Sequence, residues 1–129
     1  MAEHVSLSPS EWKVMEALWE ASPRTIKALT DALAASTGWG KHTIISFLNR
    51  MEKKGAVTYD ETGRARGYRP AYPKEEATME ETERFLDRVF GGSLGLMVNA
   101  LVENQSLSDR DIQELMDILE KAQGGGGHD

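Results

Sequence analysis

Three helix-period segments, followed by two short β-like stretches around a polar turn, leave the first half of this 129-residue chain few ways to fold. The first segment opens at Ser8, with Pro9 suited to the first helical position and Glu11 completing a Ser-x-x-Glu capping box. Leu7 and Trp12 are spaced as a hydrophobic staple, and Trp12, Met15, Leu18 and Trp19 continue as an apolar stripe until Ser22-Pro23. The second segment runs from about Thr25 to Ala35, with Ile26, Leu29 and Leu33 on its buried side, and Ser36-Thr37-Gly38 breaks it. The third runs from about Lys41 to Lys54 and stops at Gly55, a residue suited to a left-handed helix end. Residues 56–59 then read as a strand, Asp60-Glu61-Thr62-Gly63 as a turn, and residues 67–72 as a return strand, with Pro70 at an edge or a strand end. Helix, helix, helix, hairpin is the order of the winged helix-turn-helix.

Pro73 marks a change of character. Lys74 to Phe90 predicts a charged helix with Thr82, Phe85, Leu86 and Val89 along one side. Gly91-Gly92 breaks it, and Ser93 opens a shorter helix carrying Leu94, Met97, Val98 and Leu101 at helical spacing. Ser108 and Asp111 repeat the capping pattern before a last stripe of Ile112, Leu115, Met116 and Leu119. Each of these helices has an apolar side in need of a partner, and some fifty residues bury little surface alone. A second copy of the chain is the expected partner, and those eleven apolar residues are the expected interface. The fold class is therefore mostly α with a small β-hairpin wing: a winged helix-turn-helix over residues 1–73, a three-helix dimerisation unit over 74–123, and a flexible tail over 124–129.

Charge separates along the same line. Residues 1–73 carry ten Lys/Arg against eight Asp/Glu, whereas 74–129 carry five against thirteen; within 39–73 the count is seven against three. A basic stretch joined to an acidic unit suits a DNA contact surface better than the formal net charge of −6 suggests. On a helical wheel, Ile44, Phe47, Leu48 and Met51 fall on one side of the third segment. His42, Thr43, Ser46, Asn49, Arg50 and Lys53 fall on the other. Hydroxyl, amide and guanidinium groups are the types that bond base edges and phosphates in a major groove. Arg64 and Arg66 at the hairpin tip are placed to grip phosphate or a minor groove, and Lys53-Lys54 to touch the backbone. Trp39 is expected in the core.

Enzymatic chemistry finds no footing. There is no cysteine, glycine-rich phosphate loop, His-Glu-x-x-His or Gly-x-Ser-x-Gly, and the histidines, His4, His42 and His128, are scattered. No metal site or cofactor is expected. Neither a membrane-spanning run nor a secretion signal is visible, so a cytoplasmic location is expected. Two alternatives stay open on the residues alone: a winged-helix protein-interaction module, and a ligand-sensing regulator.

Leu7-Ser8-Pro9-Ser10-Glu11-Trp12-Lys13-Val14-Met15 with Leu18-Trp19 resembles the opening of the penicillinase repressor family, the BlaI/MecI group that includes the copper-responsive CopY branch. Trp39, Thr43-Ile44, Arg50 and Lys53-Lys54-Gly55 resemble its recognition-helix block, Arg66-Gly67-Tyr68-Arg69-Pro70 its wing, and Leu107-Ser108 with Asp111-Ile112 and Glu114-Leu115 its last helix. The resemblance spans about Leu7 to Ala122. It implies a homodimeric repressor on a palindromic double-stranded DNA operator, with His42, Thr43, Ser46, Asn49, Arg50, Arg64 and Arg66 as contacts. Departures are visible too. Gly40-Lys41-His42 stands where the family commonly has Ser-Pro-Lys, and Ile45 where it often has arginine. The Asn-Phe bond cut by a sensor protease in β-lactam-responsive members aligns with Ala100-Leu101, which argues against such a protease as a partner. The metal-binding C-terminal cysteines of the copper branch are missing.

Overall fold

A computed structural model describes residues 6–61 and 63–126. Its elements run α1 (Pro9–Glu20), α2 (Ile26–Thr37), α3 (Lys41–Lys54), β1 (Val57–Asp60), β2 (Gly67–Pro70), α4 (Lys74–Phe90), α5 (Leu94–Glu103) and α6 (Asp109–Gly126). His4, Thr62, Gly127 and His128 lie outside the described residues. The chain divides into two compact units, residues 1–82 and 83–129, the division falling within α4.

Local chemistry sets the helix ends. The Ser8 hydroxyl accepts from Glu11 N–H at 3.1 Å, and Glu11 Oε1 accepts from Ser8 N–H at 2.9 Å, closing the expected capping box. The Thr25 hydroxyl accepts from Ala28 N–H at 3.1 Å at the start of α2. Gly38 and Gly55 end α2 and α3 at φ +73° and +84°, a conformation that a Cβ would penalise.

In the first unit the stripes converge. Val14, Met15 and Leu18 of α1, Leu29 and Leu33 of α2, and Ile44, Leu48 and Met51 of α3 form one buried cluster, closed below by Ala56, Val57 and Tyr68. Trp39 packs against it edge-on to Phe47, with ring centroids 4.9 Å apart. Trp19 donates its indole N–H to the Tyr72 carbonyl at 2.9 Å, tying α1 to the end of the wing. β1 and β2 pair antiparallel, Tyr59 opposite Tyr68 and Val57 opposite Pro70, so Pro70 is a strand end. A further pairing was not foreseen. Arg24, just before α2, exchanges two backbone hydrogen bonds with Tyr68, at 3.0 and 2.8 Å, so β2 is bonded on both sides. Gly67 suits this close approach, since a Cβ would stand a tight 3.1 Å from Pro23 Cβ.

In the second unit the Ser93 hydroxyl caps α5 through Leu96 N–H, and Ser108 and Asp111 exchange capping bonds at the start of α6. α6 continues to Gly126, into the stretch that composition had assigned to a tail from residue 124. Extending an existing helix adds one bond per residue fixed, which offsets the weak propensity of glycine. No residue of α5 or α6 with a described side chain is fully buried. Among the described residues, no single helix is long and apolar enough to cross a membrane.

Candidate nucleic-acid interface

α3 is fixed from beneath by Ile44, Leu48 and Met51, which are wholly or almost wholly buried. That anchoring turns His42, Ser46, Asn49, Arg50 and Lys53 to the surface, with Thr43 half-buried beside them. Gly40 caps the helix without a side-chain hydrogen bond. Lys41 and Lys53 are exposed and form no ion pair among the described residues. All six helix positions read from the wheel therefore share one face.

Arg50 is not simply solvated. Its Nε donates to Glu11 Oε2 at 3.3 Å and its guanidinium carbon stands 5.2 Å from the Phe47 ring centroid, while the side chain remains 54% exposed. Lys54 departs from the expected backbone contact. Its ammonium donates to Glu11 Oε1 at 2.6 Å and to the Ser6 carbonyl at 2.9 Å, so it is folded back onto the start of α1. Glu11, read from the sequence only as half of a capping box, is thus also the partner of two α3 cations. It is the one buried charged residue among those described, at 1% exposed. Burial pushes its carboxyl up. Hydrogen bonds from Lys54, Ser8 N–H and Arg50, with the charge of Lys54, outweigh this and hold it below the ordinary carboxylate value.

The two wing arginines also differ. Arg64 is exposed and unpaired among the described residues. Arg66 lies over the Tyr59 ring at 4.0 Å, donates to Glu61 Oε2 at 3.1 Å and reaches the Tyr68 hydroxyl at 3.4 Å. Spacing put both at a free tip; the structure holds Arg66 against the sheet. Arg69 bonds Asp60 at 2.7 Å across the hairpin.

A second surface lies in the helices beyond the wing. Phe85, Val89, Leu94, Leu101, Ile112, Met116 and Leu119 are exposed, and Leu86, Met97, Val98 and Leu115 are half-buried. Met79, Leu96, Val102 and Ile118 are exposed as well and were not anticipated. Leu96 and Ile118 sit off the stripes traced in the sequence, whereas Met79 and Val102 lengthen them, so the apolar surface is broader than a single seam.

Three helices, a hairpin, and a polar face on the third helix define a winged-helix fold of the kind that transcriptional regulators use. Comparison with known proteins narrows the class. The model of the penicillinase repressor family matches residues 7–121. The penicillinase repressor of Bacillus licheniformis is 32% identical over 115 residues, covering 89% of this chain and 90% of that one. The methicillin resistance regulatory protein MecI of Staphylococcus aureus is 24% identical over 115 residues, covering 89% and 94%. Among solved structures, the monomeric form of Bacillus licheniformis BlaI in complex with the blaP half-operator matches with a TM-score of 0.52 at 28% identity, over 59% of this chain and 93% of that one. The chain belongs to the penicillinase repressor family, a family of transcriptional repressors and not of enzymes.

Proposed function

We propose that the protein is a cytoplasmic, sequence-specific repressor that binds an inverted-repeat operator in double-stranded DNA as a homodimer. The outward face of α3 carries the proposal. Ser46, Asn49 and Arg50 offer hydroxyl, amide and guanidinium groups to base edges, with His42 and Thr43 near the helix start and Lys53 and Arg64 as phosphate contacts. Arg66, held on Tyr59, serves the wing's shape and keeps part of its guanidinium outward. The similar BlaI of Bacillus licheniformis was solved in complex with a half-operator, which supports DNA as the partner. A protein-interaction module would instead want an apolar face on α3.

The homodimer is supported by the exposed large apolar side chains, all of which, among the described residues, lie on α4, α5 and α6. Two identical heads call for a two-fold symmetric site, with half-sites one helical turn or a multiple apart. A sensor protease is left out of the proposal, because the Ala100-Leu101 bond lies inside α5 and lacks the Asn-Phe pair.

Selection from a random duplex pool tests the reading. An inverted repeat should emerge, and its affinity should fall with a log–log salt slope of about −5 to −7 for some six to eight phosphates. A pool that returns no enriched motif overturns sequence-specific binding; a motif without two-fold symmetry overturns the paired heads.

A further inference from the structure

We propose that Glu11 is a specificity-setting residue: it withdraws Lys54 from the DNA face and orients Arg50, so that α3 discriminates bases instead of holding any phosphate. The inference rests on the reading of α3 as the recognition helix. Capping alone does not account for Glu11. A capping box needs one side-chain oxygen, and glutamine serves it as well as glutamate. Here both oxygens are engaged, Oε1 by Ser8 N–H and Lys54 and Oε2 by Arg50, and the carboxylate is buried. A buried charge is costly unless paired, and its partners come from 39 and 43 residues further along the chain.

The consequence for each cation follows from geometry. Lys54, only 33% exposed, spends its ammonium on Glu11 and on the Ser6 carbonyl. It is therefore removed from the set of charges that a phosphate backbone would attract. Arg50 gives up Nε alone. Its two terminal nitrogens, the pair that forks onto guanine or phosphate, stay available on a side chain steadied by Glu11 and Phe47. A steadied fork loses less rotamer freedom on docking, and a fixed direction rejects the wrong base. Both effects favour operator over random DNA.

Glu11→Gln keeps the shape and the cap but removes the charge. Its effect should run opposite to that of ordinary damage. Affinity for a random-sequence duplex should rise several-fold at low salt, and the salt slope should steepen by about 1.8, for one freed lysine per head in a dimer. Preference for the selected duplex over the random one should fall about tenfold. Fluorescence anisotropy of the full chain on both duplexes, from about 50 to 200 mM salt, reads all three. Equal weakening on both duplexes would reduce Glu11 to a structural role and overturn the proposal, as would wild-type values throughout. Arg50→Ala, measured alongside, separates the two levels of argument. If it leaves preference unchanged, the recognition-helix reading has failed. If it abolishes preference while Glu11→Gln behaves as wild type, only the role of Glu11 is lost. Should Glu11→Gln not fold, Lys54→Gln gives an independent test. A withdrawn lysine predicts no change in slope, and a slope shallower by about 1.8 would refute it.

Discussion

Replacing Met116 and Leu119 together with glutamate probes the proposed dimer where the apolar surface is barest. Met116 is 59% exposed and Leu119 61%. Full burial of such a side chain is worth about 1.5–3 kcal/mol, so covering what remains exposed contributes about 1–2 kcal/mol apiece. A two-fold interface uses each position twice. Losing all four side chains should cost about 4–7 kcal/mol, which is three to five decades in dimer dissociation constant. The expected measurement is sedimentation velocity over a concentration series. Wild type should run at twice the 14.3 kDa chain mass, and the variant at the single-chain mass, with helix content by circular dichroism unchanged. Leu101, at 36% exposed, and half-buried Met97 have less surface left to cover, so the same treatment on α5 should weaken the dimer less. A glutamate variant that stays at double mass down to nanomolar concentration refutes α6 as the interface. A wild-type protein that never exceeds one chain refutes the dimer.

The wing gives a paired contrast. Arg64→Ala should weaken binding to all duplexes alike and reduce the salt slope by about 1 per head, whereas Arg66→Ala, which unstacks a guanidinium from Tyr59, should lower the melting temperature as well; equal melting behaviour of the two would contradict the geometry. Acid should expose Glu11. Its folded-state value lies below the ordinary one, so its stabilisation is present above about pH 4.3 and is lost as pH falls through the folded value. Melting temperatures from pH 6 downward should therefore converge for wild type and Glu11→Gln; a constant gap would show that the charge contributes nothing to stability.

What the sequence made legible is what short-range chemistry decides. Ser8 with Glu11, Thr25, Gly38, Gly55, Ser93 and Ser108 with Asp111 each act within a few residues, and each does in the structure what its type and position imply. The buried side of α3 followed from a period of 3.6. The pairing of Arg24 with Tyr68 could not be read the same way, because one residue at a separation of 44 carries no periodicity. Long side chains escaped for a related reason. A wheel places the Cα of Lys54 and the Cα of Arg66, but a four-carbon or guanidinium arm can turn back several ångströms to a carboxylate or a ring. Lys54 turned to Glu11, and Arg66 to Tyr59 and Glu61. A hint was available at Glu11, since a capping glutamate directly before a buried stripe has little water to face.

In the proposed dimer, head and tail should depend on each other, because α3 and the wing offer few free cations. Lys41, Lys53 and Arg64 have no ion-pair partner among the described residues of a head, and Arg50 is free only at its terminal nitrogens. Three or four phosphate contacts would give one head a weak, salt-sensitive hold. The acidic second half of the chain adds no attraction of its own. Joining two heads makes the second binding step intramolecular, and its effective concentration multiplies the affinity without any new contact. Occupancy of a two-fold operator by the proposed dimer should then depend on α6 as directly as on α3. A variant that alters only Met116 and Leu119, and no residue facing DNA, should release a two-fold site while a single half-site binds as weakly as before. Equal affinity of wild type and variant for the two-fold site would mean that each head binds alone.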